Sequence, residues 1–166
     1  MPNPSTYQFN LPQRGRPSDV MLNEVWYPGI QAYWETSPSS RIFDAILGIK
    51  ALVIHATAGS SSAGAVSVMK EGKASFHWLL PDEDEPQHGQ LVWACAPEAR
   101  AAWHVRNSCS HPNINDGADK VNHWSLGIEV VNRQAGSDRF SDWQIHATAQ
   151  IVLEGAVGRD ANALFA

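Results

Sequence analysis

Residues 124–132, WSLGIEVVN, decide how this chain is read. The apolar residues alternate with small or polar ones, the period of a β-strand with one face toward a core. Trp124, Leu126, Ile128 and Val130 share one face; Ser125, Gly127, Glu129 and Val131 share the other. A carboxylate therefore sits beside a glycine and a serine, where a ligand has room to approach. Burying a carboxylate inside an apolar strand is costly unless it is paired or used. Burial also raises its pKa toward the range of a general base. Two readings of Glu129 stay open on these residues: a working carboxylate, or a salt-bridged or edge-strand surface residue.

Working outward, residues 49–55 (IKALVIH) carry a continuous apolar run suited to a strand buried on both faces. Ser61 or Ser62 is placed to cap a short helix running to about Lys70. Residues 75–80 (SFHWLL) and 90–96 (QLVWACA) read as strands, and the acidic turn between them predicts a hairpin. Residues 97–103 predict a short helix opening on Pro97, and 105–122 a long polar loop of the kind that is usually functional or disordered. Ser141 and Gln144 fit a capping box, so a helix is expected there. Trp143, Ala147 and Ile151 share its inner face, and Gly155 and Gly158 are expected to end it. Residues 1–44 are interrupted by prolines and read as an irregular arm, with Trp26, Tyr27, Tyr33 and Trp34 pinning it down. The expectation is one α/β domain over 49–166, with a central mixed sheet flanked by helices, preceded by an irregular arm over 1–48.

Composition narrows the function classes. A chain of 166 residues, 43% hydrophobic and 17% charged, is too apolar for a disordered protein. A net charge of −5 argues against nucleic acid as a partner. No apolar run approaches the roughly 18–20 residues of a membrane span. No export signal is visible, so the chain as written is expected in the cytoplasm, with action in the periplasm or cell envelope as the alternative. A monomer is expected. Cys95 and Cys109 lack both a disulfide framework and zinc-ligand spacing.

Seven histidines leave several candidates for chemistry. His55 ends a strand before a small-residue loop and is either a metal ligand or a structural histidine. His77 sits mid-strand and either lines the cleft or is a hydrogen-bonded core residue. His104 follows Trp103, whose ring is either packing or a platform for the apolar face of a sugar.

Four segments, in order, resemble the type 2 N-acetylmuramoyl-L-alanine amidases, zinc enzymes related to the peptidoglycan-recognition proteins. VIHATAG is similar to the family's first zinc-ligand strand, SFHWLLP to its S-x-H-Y-L strand, AAWHV to A-W-H-A-G, and SLGIEVVN to S-I-G-I-E-hydrophobic-x-N. The resemblance covers about residues 49–150. It implies a zinc cleft on one side of the sheet and hydrolysis of the amide joining N-acetylmuramic acid to L-alanine in peptidoglycan or muropeptides. It implies His55 as a zinc ligand, Glu129 as the catalytic carboxylate, and His77, Trp103, His104 and Asn132 as substrate-binding positions. Phe76 stands where some relatives carry a catalytic Tyr, and Phe cannot donate a proton.

The resemblance stops within the last helix. The family's two further zinc ligands, a His and then an Asp or Cys, have no match after Val152: Asp160 is followed by no Pro-Gly, and no His follows His146. The expectation is an amidase domain lacking its C-terminal metal-binding segment, with a catalytically inactive peptidoglycan-binding module or a truncated fragment as the alternative.

Overall fold

The computed structural model describes residues 24–42, 48–86 and 89–157. Ser125–Val130 is the strand predicted from its alternation, β7 in chain order. It lies inside a five-stranded sheet. On one side it pairs in parallel with β3, Ala51–Ala56, and on the other with β4, Trp78–Leu80. β4 continues antiparallel into β5, Val92–Ala94, which bears out the expected hairpin. The helical flanks are α1 (Ser62–Lys70), α2 (Val121–Trp124) and α3 (Asp142–Val157). The sheet is mixed, as expected of an α/β domain, and β3 is one of its edges.

Its other edge was not expected. Glu24–Trp26 form β1, paired in parallel with β5, within the stretch read as an irregular arm. Pro17 and Pro28 leave room for a strand between them, and three residues are too few to show a period. Trp26 and Tyr27 consequently lie in the core rather than on its surface. The helix expected over 97–103 is absent. Arg100–Ala101 instead form β6, antiparallel to β2, Ser39–Ser40. A seven-residue helix is marginal without tertiary support, and the partner that displaces it lies some sixty residues upstream, out of reach of local propensity. Trp124 ends α2 rather than opening β7. The other strands are a few residues shorter than expected.

Two helix starts follow the sequence closely. Ser61 accepts a hydrogen bond from the Gly64 amide at 3.2 Å and caps α1. Glu85, from the acidic turn, adds a second cap by accepting from the Ser62 amide and hydroxyl at 2.8 and 2.6 Å, where a carboxylate also suits the positive end of the helix. The Ser141–Gln144 capping box is formed in both directions at 3.1 Å. Gln144 then turns inward, donating to the carbonyls of Pro81 and Val131 at 3.0 and 2.8 Å. That ties α3 to the ends of β4 and β7, with Ala147 and Ile151 buried and Trp143 packed against the core. The helix continues through Gly155 to Val157; residue 158 lies outside the described residues.

The sheet divides the domain. Ile54 and Val130 meet α3 on one face, lining an apolar groove with Phe140, Ile145, Val152 and Leu153. Their strand neighbours His55 and Glu129 project to the opposite face.

Candidate active site

Parallel pairing sets His55 directly opposite Glu129. Cross-strand partners share a sheet face, so the imidazole and the carboxylate are neighbours by register alone. Leu79 flanks Glu129 from β4 and is fully buried. One carboxylate oxygen, Oε2, is buried and accepts no hydrogen bond from the described residues. Burial without a compensating donor disfavours the charged form, and the Glu129 carboxyl is raised from 4.5 to about 7. Of the two readings open from sequence, the salt-bridged one has no cation among the described residues.

His55 Nε2 lies 3.1 Å from His104 Nδ1, and His104 Nε2 lies 3.0 Å from the Ser125 hydroxyl. Burial lowers the pKa of His55. Burial, then the neighbouring His55 and Arg41, brings His104 down to about 3. Both rings are therefore neutral near pH 7. The His104 side chain packs closely against the strand at Gly127. A Cβ there would approach the ring to 2.5–2.8 Å, a separation that real side chains do not tolerate. The glycine in the SLGIE segment is thus required by a close approach.

Asn122 fixes the backbone that carries His104. Its side chain accepts from the His104 and Val105 amides at 3.2 and 3.0 Å and donates to the Val105 carbonyl at 2.8 Å. Arg41 clamps the same region from the proline-rich stretch. It donates to the carbonyls of Glu98, Asn122, His123 and Ser125 at 2.7–3.1 Å. Neither residue stands out in the sequence: their roles depend on contacts 17 or more residues away.

The remaining candidates are held by other bonds, and the His77 ring centroid lies 6.3 Å from that of His104. His77 is completely buried; Nδ1 accepts from the Gly127 amide at 2.9 Å and Nε2 donates to the Arg100 carbonyl at 2.9 Å. Both nitrogens are engaged within the fold, the geometry of a core histidine. Trp103 is half-buried, and its indole donates to Ser39 at 3.2 Å. Asn132 is buried, donating to the Asp138 carbonyl and accepting from the Gln134 amide at 3.2 and 2.7 Å. That folds the 132–138 loop back beside β3.

Residues 47–161 match the N-acetylmuramoyl-L-alanine amidase family. The chain belongs to that family. Among solved structures this amidase-family domain is similar to AmpDH3 from Pseudomonas aeruginosa, solved in complex with anhydromuramic pentapeptide. The identity is 28%, over 65% of this chain and 45% of that one, with a TM-score of 0.54. A second AmpDH3 structure matches at 27% identity, over 70% and 50% of the two chains, with a TM-score of 0.55. The domain thus spans about half the length of AmpDH3. An AmpD structure matches at 16% identity over 92% of this chain and 83% of that one, with a TM-score of 0.50, which shows a shared fold. No curated protein matches the chain.

Family members are typically zinc-dependent. A catalytic zinc needs three protein ligands, and among the described residues no group of three or more His, Cys, Asp or Glu is placed to hold a metal. The described residues therefore do not by themselves fit a zinc site, and two more donors would be needed from outside them.

Proposed function

We propose that this chain hydrolyses the amide between the lactyl group of N-acetylmuramic acid and L-alanine in muropeptides, with Glu129 as general base. One observation carries the reading: in a chain of this family, half-buried Glu129 sits opposite His55, with a buried oxygen, Oε2, that has no hydrogen-bond partner among the described residues. A carboxyl held at about 7 is half ionised near neutral pH. That suits it both to take a proton from an attacking water and to return it to the leaving amine. The anhydromuramic pentapeptide bound by AmpDH3 supports a muropeptide as the substrate class.

The test is release of the L-alanyl peptide from anhydromuramic pentapeptide, followed by chromatography with the metal content of the protein assayed alongside. Glu129→Gln is expected to slow release by roughly 10²–10⁴-fold. An unchanged rate in Glu129→Gln would sink the assignment. Wild-type protein that binds the muropeptide without cleaving it would instead identify a binding module.

A further inference from the structure

We propose that His104 is a positioning residue that fixes His55 in its Nε2–H tautomer, with Ser125 setting the direction of the hydrogen-bond chain. The direction follows from counting protons. The Ser125 hydroxyl lies 2.7 Å from the Val121 carbonyl, which can only accept, so the single hydroxyl proton is donated there. The same oxygen must then accept from His104, so His104 carries its proton on Nε2. A neutral imidazole has one donor and one acceptor nitrogen. His104 Nδ1 is therefore an acceptor, and the contact at 3.1 Å requires His55 to donate from Nε2. His55 is left with its lone pair on Nδ1, which has no hydrogen-bond partner among the described residues.

The links are held by β7 and α2 together. Ser125 opens β7, Val121 opens α2, His104 is anchored through Asn122, and Gly127 makes space for its ring. The result is an electron-pair donor of fixed identity on the residue paired with Glu129. A freely tautomerising imidazole would offer that nitrogen only part of the time. Within the amide-hydrolysis reading, on which its functional meaning rests, Nδ1 is the atom that meets an electrophile or hydrogen-bond donor arriving at the Glu129 carboxyl.

The decisive measurement is side-chain ¹⁵N NMR of ¹⁵N-histidine-labelled full-length protein at neutral pH. His55 and His104 should both show a protonated Nε2 and an unprotonated Nδ1. Ser125→Ala should convert one or both rings to a tautomer mixture, while Ser125→Thr, which keeps the hydroxyl, should restore the wild-type pattern. A proton on Nδ1 of His55 in the wild type overturns the proposal and needs no variant to fold. Unchanged tautomers in a folded Ser125→Ala protein would remove Ser125 from the chain. Hydrolysis by Glu129→Gln at the wild-type rate would defeat the functional reading while leaving the tautomer result standing, so the two failures are separable.

Discussion

Replacing Glu129 with Gln should disable the chemistry and at the same time stabilise the protein at neutral pH. The folded state holds this carboxyl at about 7 against 4.5 when unperturbed. Below pH 4.5 the group is protonated in both states and costs nothing. Between 4.5 and 7 the unfolded chain ionises while the folded one resists, so stability falls as pH rises. At about 1.4 kcal/mol per pH unit, the accumulated loss above pH 7 is about 3 kcal/mol. In a domain of this size that corresponds to roughly 6–12 °C in Tm. Gln carries no charge, so its own burial cost does not vary across this range. The quantity to measure is the difference in unfolding free energy between Glu129→Gln and wild type, by urea denaturation in chelated buffer from pH 4 to 8.5. It should be level below pH 4.5, climb by about 3 kcal/mol through pH 7, and level off again. His104 acts in the opposite sense. Held at about 3, it keeps its full contribution above pH 6.5 and loses it as pH falls. In the wild type the two slopes oppose each other between 4.5 and 6.5, and the variant should expose the rising one. A difference curve flat over the whole range would refute the claim that Glu129 is held protonated by burial.

Other outcomes follow from the same geometry. The hydrolysis rate should rise with pH through about 7 as Glu129 ionises, and a profile level from pH 5 to 8 would exclude it as the base. Gly127→Ala should destabilise by about 1–3 kcal/mol, because the new Cβ collides with the His104 ring; an unchanged Tm would contradict the close approach. Asn122→Ala leaves two amides and a carbonyl without their partner and should cost about 2–3 kcal/mol in chemical denaturation, with Asn122→Asp recovering part through its acceptor oxygen. Gln144→Leu removes the bonds to Pro81 and Val131 and half of the capping box. Loss of about 2 kcal/mol is expected, and amide exchange in α3 should quicken.

What the sequence reveals about this site is what a two-residue period can carry. The alternation in residues 124–132 places Ser125, Gly127 and Glu129 on one face, and the structure uses all three there. It does not say that β3 pairs in parallel with β7 so that His55 meets Glu129, since register is a property of two strands. His104 is visible as a motif position. Its contact with Gly127 is not, because a loop and α2 intervene between them. Arg41 lies in a stretch whose prolines suggest an irregular arm, and its donors bind carbonyls 57 to 84 residues away. The helix expected over 97–103 fails for the same reason: β2 captures Arg100 and Ala101 from a distance that no local signal spans. Capping at Ser61 and Ser141 was legible because donor and acceptor lie within one turn.

The fit of the His104 ring over Gly127 makes these two positions a lock and its key. Adding a methyl group at 127 alone overfills the space, and trimming His104 to Ala alone leaves it empty. Made together, the two changes exchange volume across the same gap. The paired variant should therefore keep much of the stability that either change sacrifices, while leaving His55 without its acceptor. A folded chain with a single silenced link is the control that deletion of His55 or Glu129 does not provide.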